Sequence, residues 1–239
     1  MKIIEVKDLK KIYHDEEVET PAVRGVSFSI NRGEFLAIMG PSGSGKSTLL
    51  HMLGLLDRPS EGDYFFEGEN VKNFSDEKLA SIRNKKMGFV FQSYNLLPRT
   101  TVLDNVKLPL CYSNIKESKW NSIASNAIES VGLSHRIDYD PSQLSGGEKQ
   151  RVAMARALVL NPDIIFADEP TGNLDSKSGK VVMEILQKLS EEMNHTVILI
   201  THETYTAEHA KRIIHIIDGK INSDKLVGNR RKAKDEFTK

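Results

Sequence analysis

The most specific chemical pattern in the chain is the octapeptide GPSGSGKS at residues 40–47, which matches G-x-x-x-x-G-K-[ST]. Glycines such as Gly43 and Gly45 let the backbone curl and present consecutive N–H groups to phosphate oxygens. The Lys46 ammonium has the reach to contact β- and γ-phosphates, and the Ser47 hydroxyl is a typical magnesium ligand. A ligand-free glycine-rich turn is the alternative. The pattern predicts nucleotide binding, but it does not separate a kinase, a GTPase and a transport ATPase.

The elements around this loop are those that phosphate binding requires. The apolar run Phe35–Met39 lacks polar alternation and predicts a buried strand, and residues 48–53 continue as a helix. The loop therefore joins a strand end to a helix start, whose N-terminus adds a partial positive charge. The residues expected to surround the phosphates are Gly40, Pro41, Ser42, Gly43, Ser44, Gly45, Lys46, Ser47 and Thr48.

Two adjacent carboxylates follow a second apolar strand, predicted over residues 163–167 in the segment DIIFADEP. Ligands of parallel sheets bind at the carboxyl ends of their strands, where Asp168 and Glu169 would lie. Successive strand residues point in opposite directions, so the two carboxylates must differ in role. Asp168 is suited to hold magnesium indirectly, and Glu169 to polarise a water for attack on the γ-phosphate. The alternative is a strand cap beside a surface glutamate.

A second glycine-rich helix start is predicted in LSGGEKQRVAMARALVL. Ser145 and Glu148 fit the capping box S-x-x-E, which is sufficient to begin a helix. Capping does not explain Gly146 and Gly147, because each glycine costs a helix roughly 1 kcal/mol. Bare backbone at a helix N-terminus lets a phosphate approach closely. The chain therefore has two predicted anion-binding helix starts that are far apart in sequence.

Three further residues are ambiguous when each is taken alone. Gln92 follows the predicted strand Met87–Phe91, where glutamine is usually a solvated loop residue. His202 follows the predicted strand Thr196–Thr201, where histidine usually bonds to backbone, and Thr206 excludes an H-E-x-x-H zinc site. Tyr13 is either a core aromatic or a platform for base stacking.

Composition restricts the class of protein. Acidic and basic residues number 33 each among 239, so no overall charge favours nucleic acid or an acidic membrane. The single cysteine, Cys111, excludes an intrachain disulfide and a cysteine-based zinc cluster. No apolar run approaches membrane-spanning length, and the first residues contain no signal-peptide core. We expect an intracellular protein that binds no nucleic acid and reaches a membrane only through a partner.

The order of elements predicts a single α/β domain over residues 1–239, with a mostly parallel sheet and an N-terminal antiparallel β part. The core is expected over residues 1–92 and 140–221. Apolar residues recur at helical spacing between them, which predicts a helical insertion over about 93–139. Residues 11–20 are polar and predict a hairpin or loop, and residues 222–239 predict a flexible charged tail.

Together these segments resemble the ABC-transporter ATPase family over residues 3–221, nearly the whole chain. The resemblance is carried, in the family's order, by GPSGSGKS, LSGGEKQ, IIFADEP, Asp175 in GNLDS and His202 after ILIT. It implies the family's P-loop NTPase fold, ATPase activity, and ATP and Mg²⁺ as cofactors. It also assigns roles to residues that the patterns alone leave open: Tyr13 stacks on adenine, Gln92 senses magnesium, Glu169 is the catalytic base, His202 contacts the γ-phosphate and Asp175 bridges two subunits.

The resemblance further implies a head-to-tail homodimer with two ATP molecules at its interface. Each ATP would lie on residues 40–48 of one subunit and be covered by Ser145, Gly146 and Gly147 of the other. Magnesium would be held by Ser47 and Gln92, and by Asp168 through water. The Gln92 loop and the helical insertion would contact a membrane permease, which places the chain on the cytoplasmic face of the membrane.

Three segments, GLLDRPSEG, FQSYNLLP and DEPTGNLDS, resemble the family branch that serves lipoprotein release, macrolide or antimicrobial-peptide export, and a cell-division relative. The polar stretch at residues 14–20 is longer than in many ABC ATPases and suits this branch. This implies export or release of a lipophilic, peptide or drug-like substrate. The alternatives are a cell-envelope signalling or division ATPase, a soluble ABC ATPase that acts on ribosomes or DNA, and a P-loop kinase, which would not explain LSGG.

Overall fold

The computed structural model describes residues 1–15 and 18–233, which form ten strands, seven α-helices and several short 3₁₀ turns. The strands are β1 Lys2–Asp15, β2 Val18–Asn31, β3 Phe35–Met39, β4 Glu61–Phe66, β5 Glu69–Asn70, β6 Met87–Phe91, β7 Ile164–Asp168, β8 Thr196–Thr201, β9 Arg212–Ile217 and β10 Lys220–Leu226. The helices are α1 Lys46–Leu53, α2 Asp76–Lys86, α3 Val102–Lys107, α4 Trp120–Ser130, α5 Gly146–Leu158, α6 Ser176–Glu191 and α7 Thr204–Ala207.

The strands form two sheets. An antiparallel sheet has the order β2-β1-β4-β5, and a six-stranded sheet has the order β10-β9-β3-β8-β7-β6. In the larger sheet the five strands from β9 to β6 are mutually parallel, and β10 pairs antiparallel with β9. The predicted combination of a mostly parallel sheet with an N-terminal antiparallel part is confirmed.

The central strand β3 is buried on both faces, as its unbroken apolar sequence predicts. Because successive side chains point to opposite faces, Phe35 and Ala37 pack into one core, and Leu36 and Ile38 into the other. The first core includes α5, α6 and the helical insertion, and the second includes α1 and the antiparallel sheet. The phosphate loop thus begins on a strand that both cores hold in place.

Residues 93–139 contain α3, α4 and 3₁₀ turns without a strand, so the predicted helical character of this segment is confirmed. The buried Asn105 on α3 holds the loop that precedes this helix. Its Oδ1 accepts from the Leu97 N–H at 2.8 Å, and its Nδ2 donates to the Thr100 hydroxyl at 2.8 Å. Over the described residues, no helix has both the length and the apolar character that crossing a membrane requires.

The polar stretch at residues 11–20 belongs to a hairpin, whose arms β1 and β2 run to Asp15 and from Val18. The hairpin alternative of the prediction is therefore the correct one. Residues 16 and 17 lie outside the described part of the chain.

The predicted flexible tail at residues 222–239 is wrong as far as residue 233. Residues 222–226 complete β10, and Ala233 is buried. The charges that suggested solvation are paired: Arg230 with Glu191, and Arg231 with Glu208. Glu191 is 39 positions from Arg230 and Glu208 is 23 positions from Arg231, so no local pattern indicated these pairs. Residues 234–239 lie outside the described residues.

Candidate nucleotide-binding site

The loop at residues 40–47 connects β3 to α1, and close packing against neighbouring backbone explains its glycines. A Cβ on Gly45, which has φ +95°, would lie 2.2 Å from the Ala22 carbonyl oxygen. A Cβ on Gly40 would lie 2.1 Å from the Ile216 carbonyl oxygen. Gly43 has φ +78° with open space around it, so here the backbone conformation itself favours glycine. The loop can therefore lie against the sheet and keep its backbone N–H groups available.

Lys46 and Ser44 fit an anionic ligand in this loop. The Lys46 side chain is buried, and its Nζ donates to the carbonyls of Gly40 at 2.9 Å and Pro41 at 2.8 Å. These partners are neutral, so the ammonium charge is available to an anion. The Ser44 Oγ is also buried and has no hydrogen-bond partner among the described residues. Unpartnered buried polar groups are rare and indicate an absent ligand or water, which fits a phosphate here.

The parallel strands bring distant polar residues to one edge. Phe91 pairs with Asp168, and Met39 pairs with Thr201, so the ends of β6, β7, β3 and β8 lie side by side. They border a cleft of about 840 Å³. Its lining comprises Ala22, Met39, Gly40, Pro41, Ser42, Gly43, Gly45, Lys46, Ser47, Thr48, Gln92, Glu169, His202 and His215.

Glu169 and His202 are in direct contact inside this cleft. His202 Nδ1 lies 2.7 Å from Glu169 Oε1, although the residues are 33 positions apart. Glu169 has φ +46°, an uncommon backbone conformation for a non-glycine residue, and its N–H donates to the Ile200 carbonyl at 2.9 Å. This conformation places a carboxylate with an imidazole partner beside the phosphate loop.

Asp168 is the last residue of β7 and is hydrogen-bonded to Ser47 of the phosphate loop, although it is not among the residues that line the cleft. Burial raises the pKa of Asp168 and the neighbouring Glu169 carboxylate raises it further, while His51, Lys46 and a hydrogen bond with Ser47 oppose this without cancelling it. The Asp168 carboxylate, the Ser47 hydroxyl and the Gln92 amide are hard oxygen donors of the kind that magnesium prefers. Among the described residues no cluster of three histidine, cysteine or acidic side chains could hold a metal. A magnesium ion at this point would therefore take its other ligands from phosphate and water.

Gln92 is tied to a residue that the sequence analysis missed. Gln92 Nε2 lies 3.5 Å from Asn173 Oδ1, and Asn173 Nδ2 donates to the Gln92 carbonyl at 3.2 Å. Asn173 lies two positions before Asp175 in GNLDS, and this neighbourhood was the one feature of the sequence that could have marked Asn173 as a site residue. His215 was also missed, because a single histidine in the apolar strand β9 has no distinguishing pattern.

The predicted capping box at the start of α5 is confirmed, since Ser145 Oγ accepts from the Glu148 N–H and a Glu148 oxygen accepts from the Ser145 N–H at 2.9 Å. The two glycines differ. A Cβ on Gly147 would lie 2.7 Å from the Ser178 Cβ, so Gly147 is required for packing against α6. A Cβ on Gly146 would meet first the Tyr94 hydroxyl at 3.0 Å. Neither glycine, nor Ser145, is among the residues that line the cleft.

Asp175 and Tyr13 also lie outside that lining. Asp175 caps α6 by accepting from the Ser178 N–H at 3.0 Å, which lowers the pKa of its carboxyl. Tyr13 is 41% exposed and so is not a core aromatic. Its hydroxyl is 3.2 Å from Asp57 Oδ2. These contacts hold both side chains at the surface.

Glu148 stabilises the start of α5, and this contribution is expected to depend on pH. The Ser145 backbone N–H, with the Ser145 hydroxyl and the Arg136 guanidinium, lowers the pKa of Glu148 from 4.5 to about 2. Because the pKa is lowered on folding, the stabilisation is complete above pH 4.5 and lost as the pH falls towards 2. Glu148→Gln should cost on the order of 1 kcal/mol of unfolding free energy at pH 7, because glutamine can keep the capping hydrogen bond and loses only the solvent-screened charge.

Urea unfolding at pH 7, 4.5 and 3 measures this difference, which should narrow at pH 3. The control is Glu129→Gln, an exposed position on α4. A Glu148→Gln deficit that is the same at all three pH values would contradict the ionic origin of the effect.

The fold and the cleft define a P-loop nucleotide-binding protein, and comparison with known proteins makes this specific. Residues 23–172 match the ABC transporter family model. An uncharacterized ABC transporter ATP-binding protein of Thermotoga maritima is 50% identical over 92% of this chain and 94% of its own length. The dimeric, ADP- and Pi-bound structure of the ATP-binding cassette MJ0796 superposes with a TM-score of 0.87 at 40% identity, covering 95% of this chain and 99% of that one. The chain belongs to the ABC transporter family, and it is an ABC ATPase.

A macrolide export ATP-binding/permease protein, MacB, of Chlorobium phaeobacteroides is 51% identical over 93% of this chain. The chain covers 34% of that protein, so it spans about a third of the length of the MacB relatives it matches. The predicted family is therefore confirmed. The predicted resemblance to the export branch is confirmed as well, because the chain is similar to MacB proteins.

Proposed function

We propose that this ABC ATPase hydrolyses ATP only as a head-to-tail pair of identical chains, with a permease as its further partner. The observation that carries this proposal is the composition of the cleft. It contains the phosphate loop, Gln92, Glu169 and His202, whereas the glycine-rich start of α5 lies outside it. A second copy could supply that helix start.

In this proposal, ATP lies on residues 40–48, with its phosphates against the loop N–H groups and the Lys46 ammonium. The loop residues are Gly40, Pro41, Ser42, Gly43, Ser44, Gly45, Lys46, Ser47 and Thr48. Ser47 and Gln92 would hold magnesium, and Asp168 would do so through water. Bound magnesium would neutralise charge that develops on the phosphate oxygens. Tyr13 would stack on adenine from its exposed position on β1.

Glu169 is proposed as the general base. Its carboxylate accepts a proton from the attacking water, which must therefore lie within hydrogen-bond distance of the carboxylate. His202 is 2.7 Å from the same carboxylate and fixes its direction. Lys46 compensates the charge on the transferred group. These assignments use three side chains that the fold brings together from three separate segments.

The partner subunit would contribute Ser145, Gly146 and Gly147, so that the N-terminus of α5 covers the γ-phosphate in trans. Asp175, at the start of α6, would bridge the two chains near their axis. Two variants test this pairing. Lys46→Ala and Gly146→Asp are each expected to be inactive alone, and a mixture of the two chains is expected to regain turnover.

A groove of about 940 Å³ between the sheet and the helical insertion is the proposed permease contact. Phe91 and Asn95 line it at the end of β6 and in the following loop, and Pro109 and Tyr112 line it from the insertion. Tyr112 is 82% exposed. An amphipathic helix of the permease matches this mixture of apolar surface and polar rim.

Tyr112→Ala is expected to weaken permease binding because it removes the largest exposed aromatic side chain in the groove. Hydrolysis by the isolated chain should not change, since Tyr112 is absent from the nucleotide cleft. Leu226→Ala is the matched control, as Leu226 is 80% exposed on β10 and outside the groove. Recovery of an integral membrane protein after detergent extraction is the measurement. Equal recovery with Tyr112→Ala and Leu226→Ala would contradict the assignment.

The MacB relatives suggest that the driven process is export or release of a lipophilic, peptide or drug-like substrate from the cytoplasmic face of a membrane. No observation favours nucleic acid, because the overall charge is balanced. Coupling to cell-envelope signalling in place of transport would use the same cleft and the same groove.

A further inference from the structure

Residues 227–233, which we call the strap, cross the segment that follows His202. The Val227 N–H donates to the Lys211 carbonyl at 3.0 Å, and the Arg231 N–H donates to the Glu208 carbonyl at 3.0 Å. Arg230 Nε donates to the His209 carbonyl at 2.6 Å. The strap is therefore bonded to the backbone at three points between residues 208 and 211.

Side-chain contacts also link the strap to its neighbours. Arg231 pairs with Glu208 and lies over the Tyr205 ring at 4.5 Å. Arg230 pairs with Glu191 near the end of α6. Each arginine thus links the strap to a different element.

Gln187 on α6 joins the strap and the His202 segment at one buried point. Its Nε2 donates to the His209 carbonyl at 3.2 Å and to the Arg231 carbonyl at 2.8 Å. Its Oε1 accepts from the Ala233 N–H at 2.7 Å. One largely buried amide therefore bonds to three backbone groups, one in the segment after His202 and two in the strap.

The segment between the strap and His202 is short and internally bonded. Thr206, which is buried, donates from its hydroxyl to Glu203 Oε2 at 2.8 Å, and the Ala207 N–H donates to the Glu203 carbonyl at 3.1 Å. The Glu203 N–H in turn donates to the Thr201 hydroxyl at the end of β8. A displacement at residues 208–211 would therefore be passed to His202 through a compact unit.

We propose that Gln187 and the strap are positioning elements for hydrolysis, which hold the segment after His202 so that its imidazole meets Glu169. This inference rests on the proposed roles of His202 and Glu169. Neither Gln187 nor any strap residue lines the nucleotide cleft, so they would act through His202 and leave ATP binding to residues 40–48.

The test measures Mg-ATP turnover of the full chain carrying Gln187→Leu, and separately Arg231→Ala, with His202 intact and with His202→Ala. We expect Gln187→Leu to lower kcat about tenfold with KM for ATP unchanged, because misplacement of a positioning group affects the reaction step. In the His202→Ala background the same substitution should have almost no further effect, since both act through one group. Lys225→Ala, exposed on β10, is the control and should leave kcat unchanged in each background, equal to the unmodified chain with His202 intact and to His202→Ala alone in the other.

Arg231→Ala keeps the test valid if Gln187→Leu fails to fold, because it removes a surface pair without leaving the Gln187 amide unpaired. A similar fold-loss in both backgrounds, a raised KM with unchanged kcat, or full activity would overturn the positioning role. Full activity of His202→Ala itself would instead overturn the proposed function of His202, so the two failures are distinguishable.

Discussion

Glu169→Gln should bind ATP and fail to hydrolyse it, with kcat reduced by about 100- to 10 000-fold. The amide has nearly the shape of the carboxylate but does not accept a proton from water. ATP affinity should persist, because the phosphate loop and Lys46 are unchanged. Single-turnover hydrolysis and equilibrium binding of labelled ATP measure the two effects separately.

The same variant should accumulate as an ATP-bound dimer, because hydrolysis is the step that reopens the pair. Sedimentation with and without Mg-ATP measures this change of mass. The control is Glu192→Gln, which alters an exposed glutamate after α6 and should remain active. A Glu169→Gln chain that stayed monomeric in saturating ATP would count heavily against the paired site.

The strands of the central sheet were predictable because both of their faces are buried. Phe35–Met39, Met87–Phe91 and Thr196–Thr201 were predicted with the bounds that the structure has. Their apolar runs are short and uninterrupted, as expected for parallel strands covered on two sides. The carboxyl-edge rule placed Asp168 and Glu169 at this edge of the sheet, and in the structure Glu169 lines the same cleft as the phosphate loop.

Contacts between charged residues were not predictable, since they depend on the fold that they stabilise. Arg212 bonds to Glu34 across 178 positions and to Asp224 across the β9–β10 hairpin. From sequence alone, a segment rich in arginine, lysine and aspartate is indistinguishable from a solvated tail. The same limit applies to the pairing of Glu169 with His202, which the family resemblance suggested only as separate roles.

The two glycines of LSGG show how packing and function can be separated at one helix start. Gly147 has no room for a Cβ against Ser178 on α6, so its substitution disturbs the fold. A Cβ on Gly146 would lie 3.0 Å from the Tyr94 hydroxyl, and its next neighbours, Leu174 Cδ2 at 3.5 Å and the Asn173 carbonyl oxygen at 3.8 Å, are at ordinary contact distance, so a side chain there needs a small adjustment. An aspartate at position 146 also complements the positive end of α5, which stabilises the free subunit. Gly146→Asp is therefore the substitution that blocks a phosphate without unfolding the chain.

Lys46→Ala and Gly146→Asp should each be inactive alone and should recover activity when mixed. Lys46→Ala lacks the phosphate-binding charge, and Gly146→Asp places a negative charge where the partner's γ-phosphate would lie. In a head-to-tail heterodimer the two defects fall in the same composite site. The other site then combines the intact phosphate loop of one chain with the intact helix start of the other.

Random pairing of equal amounts gives heterodimers in about half of the dimers, and each has one intact site of two. If the sites turn over independently, the mixture should reach about a quarter of the activity of the unmodified chain. Mixing is the discriminating step, because a site completed within one subunit would leave both variants inactive together as well as apart. A Lys46→Ala, Gly146→Asp double variant is the control: its addition to the unmodified chain creates no intact site that was not already present. Recovery that required mixing would therefore identify residues 145–147 as acting in trans.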